Sequence, residues 1–138
     1  MRSRSLLGGE HETHPVVLIV DDNATNLKLA RDVLRAAELG TLEATNGAEA
    51  VALAREHLPD LILMDLRLPD MDGTEAVQRL GTDSRTARIP VVALSSLPLD
   101  DREWFVAAGF AGYLEKPISV GEFPNQVRSY CKRLAPGG

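Results

Sequence analysis

Short apolar runs alternate with amphipathic stretches along the chain. Val16-Val17-Leu18-Ile19-Val20 is unbroken and apolar, and it ends in Asp21-Asp22. A helix is predicted over about Ala24 to Glu38, where Leu27, Ala30, Val33, Leu34 and Ala37 recur on one face. Thr41 to Thr45 reads as a weaker strand, Asn46-Gly47 as a turn, and Ala48 to His57 as a short helix. Pro59-Asp60 breaks the chain before a third strand, Leu61-Ile62-Leu63-Met64, which ends at Asp65. Leu68 to Gly73 is dense in turn residues and precedes a helix over about Thr74 to Leu80. A fourth strand, Ile89 to Leu94, ends at Ser95, and a helix over Asp100 to Ala108 stops at Gly109. Ala111 to Leu114 is the fifth strand, followed by Glu115-Lys116-Pro117 and a last helix over about Ser119 to Leu134.

Strands alternating with helices imply βαβ units and a parallel sheet. The first and third strands lack polar alternation, as strands covered on both faces do. Five such units match a flavodoxin-like, doubly wound α/β fold with a five-stranded parallel sheet in the order 2-1-3-4-5. One domain is expected over residues 15–134. Residues 1–14, which hold Gly8-Gly9, His11 and His14, are expected to form a flexible tail, and 135–138 a second one.

Composition narrows the function classes. A 138-residue domain can bury roughly two thirds of its unfolded surface, so it needs no disulfide or structural metal to fold. The lone Cys131 excludes a disulfide framework and fits a reducing cytoplasm. Fifteen basic against twenty acidic residues give a net charge of −5, which speaks against direct nucleic-acid binding. No apolar run approaches the ~20 residues of a membrane span, and the stretch before Pro15 is too short in apolar residues for a signal peptide.

The chemistry-bearing residues all fall at carboxyl ends of predicted strands. Asp21 and Asp22 follow the first, Asp65 the third, Ser95 the fourth and Lys116 the fifth. The first and third strands are neighbours at ~4.8 Å, so three carboxylates converge in one pocket, where doubly wound sheets bind ligands. Like charges so close raise one another's pKa unless a cation intervenes. All-oxygen ligands suit Mg²⁺, and three carboxylates, one lysine and Mg²⁺ sum to zero charge.

The segments VVLIVDDN (16–23), LILMDLRLPDMDG (61–73), VVALSS (91–96) and GYLEKP (112–117) resemble the receiver domain of two-component response regulators. Asp-Asp-Asn followed by Asn-Leu-Lys is most similar to DivK-like single-domain regulators and to receivers of hybrid histidine kinases. The resemblance covers about residues 15–134. It implies that Asp65 accepts the phosphoryl group, that Asp22 binds Mg²⁺ directly and Asp21 mostly through water, and that the Arg67 backbone carbonyl adds a ligand. It further implies that Ser95 and Lys116 bind the attached phosphoryl group, that Tyr113 is the aromatic switch, and that the Lys116-Pro117 peptide is cis. The implied protein is a cytoplasmic, phosphorylated, metal-binding module of a phosphorelay. It is not an enzyme, although it assists its own phosphorylation and slow dephosphorylation. Its donor is a histidine kinase or histidine phosphotransferase. Its output is a protein contacted through the fourth helix, fifth strand and fifth helix, with no direct nucleic acid or membrane contact, as a monomer or weak dimer.

Several features depart from the commonest family pattern. Ser stands at 95 in place of the more frequent Thr, and the stretch from Ser95 to Gly109 is one residue short. Pro124 lies within the last helix, which starts either at a Ser119/Glu122 capping box or near Pro124 itself. Arg67 is long and cationic at a position over the acceptor, and neither it nor Leu97 would place a hydrolytic water. Adjacent Trp104 and Phe105 cannot both face the core. One rival reading makes the chain the N-terminal part of a longer regulator with a DNA-binding or enzymatic output. A second, an aspartyl-phosphate phosphohydrolase, needs an Asp where Arg67 stands. A third, a flavodoxin, needs a phosphate cradle where Asp21-Asp22-Asn23 stands.

Overall fold

In a computed structural model the described residues are 14–96 and 102–132. Residues 1–13 and 135–138 of the predicted tails, His11 among them, lie outside this range, as do Leu97 and the predicted helix start at Asp100; His14 is described, its Nδ1 3.1 Å from the Glu38 carbonyl. The elements are β1 Val16–Val20, α1 Ala24–Ala36, β2 Gly40–Ala44, α2 Gly47–His57, β3 Leu61–Asp65, α3 Gly73–Gly81, β4 Val91–Ser95, α4 Arg102–Ala108, β5 Gly112–Glu115 and α5 Phe123–Lys132. All strand pairs are parallel, and the sheet order is β2-β1-β3-β4-β5, the doubly wound arrangement expected from the sequence.

The strand sequences explain their places. β1, β3 and β4 are buried almost throughout because helices cover both faces. β2 sits at an edge, and only Ala44 of its five residues is buried. Leu18, Val20, Ile62 and Met64 point into a core shared with α2 and α3, together with Phe105 and Phe110. Val17, Ile19, Leu61 and Leu63 point to the other face, where Leu27, Leu34, Phe123 and Val127 from α1 and α5 cover them. Each fully buried aliphatic side chain contributes about 2 kcal/mol.

Helix ends follow local chemistry. The Asn23 side chain caps α1 by accepting from the Asn26 N–H at 3.0 Å. Asn46 caps α2 by accepting from the Glu49 N–H, and Glu49 in turn accepts from the Thr45 N–H, both at 2.8 Å. α4 ends at Gly109, whose φ of +105° a side chain would strain.

The last helix takes the second of its two expected starts, near Pro124. Ser119 and Glu122 form no capping box. The Ser119 carbonyl accepts from the Glu122 and Phe123 N–H groups, a turn that delivers the chain to α5 at Phe123. Pro124 then stands in the first turn, where its missing N–H has no intrahelical partner to lose. α1 also ends two residues earlier than its periodicity suggests, because Glu38 adopts a left-handed φ of 69°. Of the aromatic pair, Phe105 is in the core and Trp104 is 46% exposed.

Candidate functional site

Asp21 follows β1 directly, Asp65 and Ser95 are the last residues of β3 and β4, and Lys116 follows β5. The parallel register therefore gathers them at one sheet edge. A carboxylate oxygen from each of Asp21, Asp22 and Asp65 lies within 4.8 Å of the others. Lys116 Nζ stands between two of these groups, donating to Asp21 Oδ2 at 2.8 Å and to Asp65 Oδ2 at 3.1 Å. The Lys116 backbone is held as well, because its N–H donates to the Ser95 carbonyl at 2.7 Å. The Lys116–Pro117 peptide is cis.

The acids differ in environment. Asp21 is 2% exposed, and both its oxygens are engaged: Oδ1 by the Asn23 N–H at 2.9 Å, Oδ2 by Asn26 Nδ2 at 3.2 Å and by Lys116. Asp22 is exposed, with no side-chain hydrogen bond or ion pair among the described residues. Asp65 is partly buried, and its Oδ1 accepts from the Arg67 N–H at 3.2 Å. Burial pushes the Asp65 carboxyl above the ordinary aspartate range, and the Asp21 charge adds to this. The Arg67 N–H and Lys116 pull the other way without prevailing. Burial also opposes the charge on Lys116, but Asp21 and Asp65 outweigh it and raise the ammonium's pKa. Burial leads the shift at Asp65 and the two carboxylates together that at Lys116, in a pocket of three carboxylates and one lysine. That donor set fits a hard divalent cation with oxygen ligands.

The loop after β3 is fixed closely. The Gly73 N–H donates to the Leu66 carbonyl at 2.8 Å, and a Cβ at Gly73 would collide with the Asp65 carbonyl. Arg67 bridges to Asp72 across this loop. Its side chain is exposed and pairs with neither Asp70 nor Glu103 among the described residues. Tyr113, on β5, stacks on Phe105 with ring centroids 5.0 Å apart. It is partly buried on the core face shared by α2, α3 and α4.

Two residues of the site escaped the sequence reading. Asn26 reaches back to Asp21 from the first turn of α1, and its only signal is an amide one turn past the acidic pair. Asp70 anchors the loop after β3 to α2 through the Gly47 and Ala48 N–H groups, a contact no local pattern announces.

Comparison with known proteins agrees with this geometry. The family model for the response regulator receiver domain matches residues 17–128. The polar-differentiation response regulator DivK of Brucella anthropi is 44% identical over 115 residues, covering 83% of this chain and 94% of its own. The receiver domain of a sensor histidine kinase from Pseudomonas aeruginosa was solved with a magnesium ion coordinated in its active-site cleft. It superposes with a TM-score of 0.78 at 31% identity, covering 86% of this chain and 98% of its own. A response regulator from Chloroflexus aurantiacus superposes at 0.80 with 29% identity, covering 87% and 99%. The matched segment contains every strand end that builds the pocket, and the chain belongs to the receiver domains of two-component response regulators, the phosphoacceptor modules of these signalling systems.

Proposed function

We propose that Asp65 accepts a phosphoryl group from the phosphohistidine of a histidine kinase or histidine phosphotransferase. An Asp65 carboxylate oxygen attacks phosphorus, the P–N bond breaks, and its electron pair returns to the donor imidazole. The observation that carries this reading is the position of Lys116 Nζ, within 3.1 Å of Asp65 Oδ2 beside two further carboxylates. Phosphoryl transfer asks the protein mainly for positioning and for neutralising charge on the equatorial oxygens. Lys116 neutralises from one side. Asp22, Asp65 and the Arg67 carbonyl are the residues to hold Mg²⁺, with Asp21 acting through water because its oxygens are already engaged. Bound Mg²⁺ supplies the remaining positive charge.

Once Asp65 carries a dianion, the Ser95 hydroxyl and Lys116 are drawn to it, and Tyr113 follows Ser95 inward. The consequence is a population shift in the last two βα units, read by a partner protein on the face of α4, β5 and α5. The chain then acts as a cytoplasmic regulator, monomeric or weakly dimeric, without nucleic acid or membrane. It turns over no substrate but its own phosphoaspartate. Support comes from the net charge of −5 and from the absence, among the described residues, of any helix long and apolar enough to cross a membrane. The match to 94% of the Brucella anthropi regulator supports a DivK-like receiver. Intact-mass measurement after incubation with acetyl phosphate and Mg²⁺ tests the reading. Wild type should gain one phosphoryl group and Asp65→Asn none; equal labelling of the variant refutes the acceptor.

A further inference from the structure

We infer that the cleft between α4 and α5, floored by β5, takes a cationic segment of the partner protein that carries a large apolar anchor. This rests on the proposed output role of that face and adds the chemistry of its occupant. The cleft holds about 380 Å³ and is lined by Val106, Gly112, Tyr113, Glu115 and Gln126, with Tyr130. Its walls are mixed, with two tyrosine rings and a valine beside Glu115 and Gln126. Tyr113 stacks on Phe105 on the α4 side. On the α5 side the Tyr130 phenol lies against Gly112, where a Cβ would collide with it. Trp104 and Val106 of α4 are 46% and 61% exposed. Aromatic side chains of this kind supply most of the contact area in protein interfaces.

Among the described residues, the charged side chains beside the cleft are acidic. Glu103 on α4, Glu115 at the end of β5 and Glu122 before α5 are all exposed. Glu122 stands at helical spacing from Gln126 and Tyr130, on the flank of α5 that faces the cleft. None of the three glutamates is in an ion pair among the described residues, and no lysine or arginine lines the cleft. Elsewhere on the surface several acids pair locally with bases, as in Lys28–Asp32, Arg31–Glu43, Glu75–Arg79 and Arg55–Asp83, while Asp22 and Glu38 stand singly. Glu103, Glu115 and Glu122 therefore leave an uncompensated negative potential around a cleft walled by the half-buried rings of Tyr113 and Tyr130. Complementarity calls for lysine or arginine flanking an apolar side chain. A second copy of this chain is disfavoured as the occupant, because its own face would bring like charges together.

The test passes a library of short peptides over the full chain, before and after acetyl phosphate treatment with phosphorylation checked by intact mass. Each peptide has a fixed Leu-Phe centre and flanks drawn from Lys, Glu and Gln. Wild type should enrich cationic over anionic flanks by about tenfold. The pair Glu115→Lys with Glu122→Lys should lose or invert that preference. The pair Glu38→Lys with Glu56→Lys makes the same change in net charge away from the cleft and should keep it. Circular dichroism and acetyl phosphate labelling confirm that all variants are folded. The inference is overturned if both pairs select the same flanks, if anionic peptides win on wild type, or if the chain forms a dimer that Trp104→Ala dissociates. Selection identical before and after phosphorylation would instead refute the output role of this face while the charge preference stood.

Discussion

The Asp70 carboxylate caps α2 through Gly47, across 23 positions of sequence: Oδ1 accepts from the Gly47 N–H at 2.8 Å, and Oδ2 from the Ala48 N–H at 2.9 Å. Two of the four N–H groups that open a helix are thus satisfied from another loop. The Met71 side chain packs so closely on Gly47 that no Cβ fits there. The loop carrying Arg67 is seated on the positive end of α2, where a carboxylate is favoured.

The two N–H groups hold the Asp70 carboxyl below the ordinary aspartate range. A folded pKa below the unfolded one means stabilisation that is complete above the unfolded value, near ~4, and lost as pH falls through the folded value. Asp70→Asn should melt below wild type at neutral pH, and the gap should narrow as acid is added. Thermal melts over a pH series check this, and a gap independent of pH contradicts it.

Arg67 has its backbone N–H on Asp65 and its guanidinium in no ion pair among the described residues. Asp70, three residues on, is committed to α2. The side chain is therefore available to fork onto phosphoryl oxygens and shield them from water. Arg67→Ala and Arg67→Asn should both lose phosphate several-fold faster than wild type in a dephosphorylation time course. Slower or unchanged loss rejects shielding.

Phe105 is 2% exposed and touches Trp104, Phe110 and Tyr113, with centroids 4.8, 5.8 and 5.0 Å away. Phe105→Ala should cost about 4 kcal/mol in urea unfolding. Trp104→Ala, which removes a half-exposed ring, should cost no more than about 1 kcal/mol.

Cys131 is buried, and burial pushes its thiol up to about 11. Its thiolate is scarce at neutral pH. Alkylation by a water-soluble reagent should be slow in the native protein and should accelerate with denaturant along the global unfolding transition. Rapid modification without denaturant would place Cys131 in a region that opens locally.

The sheet was legible because its strands repeat one signal: a buried run ending in a residue with chemistry, as in LILMD and VVALS. Asp21, Asp65, Ser95 and Lys116 were placed on one edge by topology alone, since parallel strands share their carboxyl ends. What the sequence concealed was tertiary or rotational. Asn26 meets Asp21 only because the Asn23 cap sets the entry angle of α1. Asp70 finds α2 across space. The Ser119/Glu122 pattern imitates a capping box, but the chain makes one more turn there, and Phe123, fully buried, fixes where α5 begins.

The strand that carries Asp65 and the strand that leads to Lys116 differ in how many neighbours hold them. β3 is hydrogen-bonded to β1 on one side and β4 on the other, so Asp65 stands on a support that cannot yield without breaking two ladders. β5 is four residues long and is joined only to β4. A pull on Lys116 therefore strains a single ladder at the margin of the sheet. The sheet is stiff beneath Asp65 and compliant beneath Lys116, and under the proposed function a displacement would run outward, toward the face between α4 and α5.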